Sequence, residues 1–223
     1  MSDLSTRSSE PIAVDPSKDL LCMQGLLVSR GDLRLCENVQ AEIAVGQVWQ
    51  LVGENGTGKT SLLMMLAGIL PVAEGRLCWR DQPPSDWSVL YIGHASGLNS
   101  SLTALDNLRF LCSLNAQTVT ADQLFAALAC VGLAGYEFVA VATLSSGQKR
   151  RVQLARLWLP HTAELWLLDE PLTALDVQMV SALTHRLTQH AAQGGRVILT
   201  SHQAVLAVTH QLDLQAFRLV LEA

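Results

Sequence analysis

Apolar residues come in short bursts near the start of the chain and in longer, helix-spaced groups in its middle. Between Leu20 and Val52 the apolar stretches are broken by Arg30-Gly31-Asp32, Glu37-Asn38 and Val45-Gly46, the spacing of antiparallel strands joined by tight turns. A small β-layer is expected there. Val48–Val52 (VWQLV) reads as a buried strand, followed at once by a glycine-rich loop and a helical stretch from Ser61 to Leu70. From about 95 to 145 the pattern turns helical. One helix is predicted from Thr103 to Leu114, and a second opens with the capping pair Thr120 and Gln123 and runs on through LFAALACV. Strand and helix then alternate again: LWLL at 165–168, a helix from Asp176, RVILTS at 196–201, a short helix, and a last strand near Ala216 to Leu221. Such alternation predicts an α/β protein with a helical insertion.

Composition narrows the classes. Hydrophobic residues make up 49% of the 223, yet no apolar run approaches the roughly 20 residues that a spanning helix needs. The first 18 residues are polar, with no apolar core of a secretion signal, and read as a loose tail. The expected location is therefore inside the cell. A net charge of −5 lacks the basic footprint that holds proteins on phosphate backbones, so nucleic acid is not an expected partner. The five cysteines form no C-x-x-C pair and read as free, mostly buried thiols.

Three segments carry candidate chemistry. Gly53-Glu54-Asn55-Gly56-Thr57-Gly58-Lys59-Thr60 fits G-x-x-x-x-G-K-[ST], whose successive N–H groups wrap a β-phosphate at a helix N-terminus that continues into Ser61. In such a loop Lys59 reaches the β/γ oxygens of ATP, and the Thr60 hydroxyl goes to Mg²⁺. The unbroken apolar strand 165–168 ends in Asp169-Glu170, at the strand end where open α/β sheets bind ligands. Asp169 is expected to hold Mg²⁺, and Glu170 to activate a water as general base. The third segment, Leu144-Ser145-Ser146-Gly147-Gln148 before KRRVQLARLWL, is a Ser/Gly turn at a helix N-terminus and hence a second anion site. A plainer reading of the same residues is an N-capped helix with Lys149, Arg150, Arg151 and Arg156 on a solvated face.

In that company the third segment resembles the signature of the ABC ATPase family. The resemblance spans about 20–221 and implies a P-loop ABC cassette: a RecA-like core, an N-terminal antiparallel β-layer and an inserted α-helical subdomain at about 95–160. All of this would lie in one domain, 20–223, after a flexible tail, 1–19. It also implies a head-to-tail homodimer in which Ser145, Ser146, Gly147 and Gln148 cap the ATP held by the other copy. Thr173-Ala174-Leu175-Asp176 resembles the family's D-loop, and His202 its γ-phosphate-sensing histidine. Two departures stand out. His94 takes the place of the usual glutamine, and no adenine-stacking aromatic occurs, although Arg30 could lay its guanidinium on the base.

Tyr91-Ile92-Gly93-His94, Leu102–Leu108 and LSSGQKRRVQLARLWL are most similar to the ATP-binding subunits of cytochrome c maturation haem exporters. That resemblance implies a separate integral-membrane permease, a peripheral place on the cytoplasmic face of a bacterial inner membrane, and ATP-driven haem handling. The helix Thr103–Leu114, next to His94, is the expected docking surface. No haem-ligand motif occurs, so direct haem ligation is not expected. A transporter subunit for another small solute, a soluble ABC ATPase and a non-hydrolysing regulator are the alternative readings.

Overall fold

A computed structural model of the chain describes residues 19–114, 118–160 and 162–219. The predicted tail lies outside these residues except for Asp19, which is buried rather than loose.

The β-layer is an antiparallel sheet in the order β2-β1-β4, built from β1 (Leu21–Arg30), β2 (Leu33–Ile43) and β4 (Arg76–Trp79). Leu21, Met23, Leu26 and Val28 point into the core. Beside this layer lies a parallel sheet in the order β5-β6-β7-β3-β8. It comprises β3 (Val48–Val52), β5 (Val89–Ile92), β6 (Leu165–Leu168), β7 (Arg196–Thr200) and β8 (His210–Asp213). Every residue of β6 and β7 is buried, which is why these segments read as runs without alternation.

Two cores flank the sheet. On one side Leu62, Leu63 and Leu66 of helix α1 (Lys59–Leu66) meet Leu167, Ile198 and the underside of the β-layer. On the other side the sheet packs against α2 (Ala104–Ser113), α3 (Ala121–Cys130), α4 (Ser146–Leu154) and α5 (Val177–Ala192), through Leu108, Leu128, Val152, Trp166 and Leu183. Each of these fully buried side chains contributes about 1.5–3 kcal/mol of transfer free energy. The caps follow the sequence: Thr103 caps α2, Thr120 and Gln123 form a capping box on α3, and Asp176 caps α5.

Several expectations are corrected. Helix α1 starts two residues before Ser61 and stops at Leu66, because Gly68 turns left-handed and both Ile69 and Leu70 donate back to the Met64 carbonyl. Residues 202–209 are turns and not a helix. The final strand is His210–Asp213, paired with β3; a 3₁₀ turn, Leu214–Phe217, occupies the start of the predicted one, and 220–221 lie outside the described residues. Only Cys36 and Cys112 are buried; Cys130 is exposed, while half-buried Cys22 and Cys78 face each other across β1 and β4.

Asp19 belongs to a buried ionic cluster joining the two sheets. Its carboxylate accepts from Trp79 Nε1 at 2.8 Å and Arg80 Nε at 2.9 Å, and it pairs at 3.0 Å with Arg196, which is fully buried at the start of β7. Arg80 extends the cluster to Glu164, just before β6, at 2.7 Å. Burial alone would raise the Asp19 carboxyl, but the bonds from Arg80 and Trp79 and the charge of Arg196 hold it below the usual carboxylate value.

Candidate functional site

The carboxyl ends of β3, β6 and β7 open into a cleft of about 540 Å³. The loop after β3 reaches it by way of Gly58, whose φ of +97° lets the chain enter α1 and which lies so close to β1 that a Cβ there would stand 2.9 Å from Val28 Cγ1. The loop is held from within: Thr57 Oγ1 donates to the Glu54 carbonyl at 2.9 Å, and Cys36 Sγ to the Thr57 carbonyl at 3.0 Å. Lys59 Nζ donates back to the carbonyls of Gly53 at 2.7 Å and Glu54 at 2.9 Å. The Glu54 carboxylate turns away to the surface, where it pairs with Arg218 at 3.1 Å.

Two strands away the acidic turn is built around one hydroxyl. Asp169 is buried; its carboxylate accepts from Thr60 Oγ1 at 2.9 Å and from Thr200 Oγ1, on the intervening β7, at 2.7 Å. Thr200 Oγ1 in turn accepts the Glu170 N–H at 2.8 Å. Glu170 sits in the left-handed region, at φ +49°. A non-glycine residue reaches that conformation at a cost of roughly 1–2 kcal/mol, so it persists only where its surroundings hold it. Its carboxylate accepts the His202 backbone N–H at 3.3 Å and lies 3.5 Å from His202 Nε2.

Arg30, Asn55, Gly56, Gly58, Lys59, Thr60, Ser61, His94, Asp169, Glu170 and His202 all line this cleft. Arg30 stands exposed on its rim. Gly53, Glu54 and Thr57 form the frame of the loop and do not line the cleft.

The signature residues stand apart. Ser145 Oγ accepts the Gln148 N–H at 3.2 Å and Gln148 Oε1 accepts the Ser145 N–H at 2.9 Å, a reciprocal cap on α4. Ser146 lines a smaller cleft of about 240 Å³, together with His94, Lys149, Glu170, Thr173 and Ala174. His94 thus borders both clefts. Gly147 packs on the turn before α5: a Cβ there would stand 2.6 Å from the Ala174 carbonyl oxygen. Asp176 accepts from the Met179 N–H and pairs with Arg151.

The solvated basic face is corrected. Arg150 is buried, Arg151 is largely covered, and Arg156 donates to the Tyr91 carbonyl at 3.1 Å. Arg150 points inward, donating to the carbonyls of Asp169 at 2.6 Å, Glu170 at 2.9 Å and Gly93 at 2.9 Å. Sequence reasoning also gave Thr200 no role. A hydroxyl closing the apolar run Val197-Ile198-Leu199 was its one signal.

The site has relatives. The sequence model of the family described as "ABC transporter" matches residues 36–173. The "Cytochrome c biogenesis ATP-binding export protein CcmA" of Vibrio cholerae is 46% identical over 194 residues, covering 84% of this chain and 93% of that protein. The protein of that name from Pseudomonas savastanoi is 42% identical over 196 residues, covering 85% and 91%. Among solved structures, a putative ABC transporter ATP-binding protein from Pyrococcus furiosus superposes with a TM-score of 0.79 at 24% identity, over 90% of this chain and 100% of that one. The ADP conformation of the ATP-binding cassette MJ1267 gives 0.67 at 18%, over 87% and 86%. These structural matches establish the fold. With identity above 40% over most of its length, the chain belongs to the ABC transporter ATPases, in the family of the cytochrome c biogenesis ATP-binding export proteins.

Proposed function

We propose that two copies of this chain close on ATP, hydrolyse it and thereby drive an integral-membrane permease in a haem-handling step of c-type cytochrome assembly. The observation that carries the catalytic part is the Glu170 carboxylate, held by the His202 N–H at the mouth of a cleft shared with Lys59, Thr60 and Asp169.

The hydroxyl of Thr60 and the carboxylate of Asp169, 2.9 Å apart, are the hard oxygen donors that suit Mg²⁺, which takes one or two protein ligands alongside substrate phosphates. Bound there, the ion would neutralise charge on the β- and γ-phosphates. The chain's own groups do the rest. Backbone N–H groups of the loop and the N-terminus of α1 cradle the β-phosphate. Lys59 exchanges its loop carbonyls for phosphate oxygens, so its cationic head is already on station. Glu170 takes the proton of the attacking water, and His202, 63% exposed at its side chain, turns to donate to the γ-phosphate. The signature of the second copy closes the site from above. There the Ser145 hydroxyl can still donate its proton, because its cap uses only the oxygen's lone pair. His94, on the wall between the two clefts, takes the glutamine's place, and Arg30 holds the base from the rim.

The name of the relatives and the surface of α2 support the transport part. Its exposed Phe110 lies on the same subdomain as the exposed Phe138, whose loop carbonyls Glu137 and Val139 accept the N–H groups of Leu105 and Ala104 in the first turn of α2. Among the described residues no helix is long and apolar enough to cross a membrane, in keeping with a peripheral subunit that docks on a separate permease at the inner membrane. In this reading haem contact is made by the partner subunits.

The deciding experiment measures ATP turnover and oligomeric state of the parent and Glu170→Gln, each with and without co-expressed membrane subunits. The expected result is a variant that no longer turns over ATP and accumulates as an ATP-bound dimer. A monomeric variant beside an inactive parent would reject the hydrolytic reading.

A further inference from the structure

We infer that Arg150 is a positioning residue for hydrolysis: it pins the strained turn that carries Glu170 and ties that turn to the loop bearing His94 and to the signature helix. The inference rests on the reading of Glu170 as the general base.

The guanidinium is a planar fork of five donors, and here it bridges two segments far apart in sequence besides its own helix. One terminal nitrogen, Nη2, donates to the carbonyls of both Asp169 and Glu170, at 2.6 and 2.9 Å. The other, Nη1, donates to the Gly93 carbonyl and to Gln153 Oε1, both at 2.9 Å. Gln153, one turn along α4, completes the clamp by donating to the carbonyls of Ala95 at 3.1 Å and Ser96 at 2.5 Å. His94 is therefore bracketed by carbonyls that α4 holds on either side.

Burying a guanidinium carries a desolvation cost, and burial depresses the Arg150 pKa while the charges of Asp169 and Glu170 oppose that shift. A helix that needed only an apolar contact at this position would be served by leucine. What arginine supplies is a fixed, charged donor at a turn where a non-glycine residue with positive φ carries the proposed base. With Arg150 on the Glu170 carbonyl, Thr200 on its N–H and His202 on its carboxylate, the residue is fixed at three points. The first of these belongs to the helix whose N-terminus presents the signature. A displacement of α4 when the signature engages the other copy is thereby delivered to the base of its own site.

The test compares Arg150→Met, Arg150→Lys and Glu170→Gln in the full chain, by kcat, KM for ATP, melting temperature and ATP-dependent dimerisation on gel filtration. Arg150→Met should lower kcat at least about tenfold while KM stays within about threefold, since the loss falls on the transition state and not on ground-state binding. It should also accumulate as an ATP-bound dimer, as Glu170→Gln does. Arg150→Lys, which keeps the charge but lacks the fork, should recover part of the rate; if the methionine variant does not fold, a kcat loss of at least about threefold in Arg150→Lys carries the test. Normal turnover of a folded Arg150→Met beside an inactive Glu170→Gln overturns the positioning role. Loss of rate together with loss of the ATP-bound dimer also overturns it, by assigning Arg150 to the signature surface alone. An active Glu170→Gln instead refutes the general-base reading, and this inference falls with it.

Discussion

Thr200 and Asp169 share a 2.7 Å hydrogen bond between neighbouring strands, and the same threonine oxygen accepts the Glu170 N–H. One hydroxyl therefore sets the spacing of both acids. Replacing Thr200 by valine keeps the shape but leaves a buried carboxylate and an N–H short of a partner. The expected cost is about 1–3 kcal/mol of stability, with a roughly 10- to 100-fold fall in kcat from displacement of the proposed base. Thr200→Ser, which keeps the oxygen, should restore most of both. Denaturant melts and steady-state ATPase assays of the pair check this.

Gly147 faces the Ala174 carbonyl so closely that a methyl group would lie 2.6 Å from it. Gly147→Ala should force the signature and the 173–176 turn apart, at a cost of about 1–3 kcal/mol. ATP-dependent dimerisation should weaken while nucleotide binding to the monomer persists. Gel filtration with ATP, beside equilibrium binding of a fluorescent ATP analogue, separates the two effects.

Asp19 is held below its ordinary pKa of 3.8. A carboxyl with a depressed folded-state pKa contributes stability above its unfolded value, and that contribution is lost as pH falls through the folded one. Asp19→Asn should therefore destabilise the chain most near neutral pH, by about 3–5 kcal/mol, because fully buried Arg196 loses its counter-charge. The gap between parent and variant should shrink as pH drops below 3.8. Urea titrations across this range measure it.

Phe110 on α2 and Phe138 on the loop beside it are exposed on the surface proposed to meet the permease. Replacing both by serine should cost no more than about 1.5 kcal/mol, most of it from the edge-to-face contact of Phe138 with Phe125. Basal turnover should be kept, and co-purification with a co-expressed cytochrome c maturation permease should be lost. Retained co-purification would move the docking surface elsewhere.

Much of this arrangement is local and was legible in the chain. The phosphate loop, the apolar strand ending in two acids and the caps at Thr120 and Ser145 depend on residues within a few positions of one another. What was missed depends on distant partners. The four residues of β4 are a strand only because β1 lies alongside. The polar β8, His210–Asp213, is an edge strand and lacks the apolar run by which β6 and β7 announce themselves. Three consecutive basic residues on α4 read as a wet surface until the chain brings the carbonyls of Gly93 and Asp169 against the middle one, Arg150, from 57 and 19 positions away.

Arg151 and Asp176 form an ion pair, and Gly147 rests on Ala174, so α4 is fastened to the turn before α5 at two separate points. The signature, proposed to cap the ATP of a second copy, and the 173–176 turn beside it are thus parts of one stiff facet. Such a facet docks in a single register or not at all, and the ordering cost that two independent loops would impose at the moment of closure is met beforehand, when each chain folds.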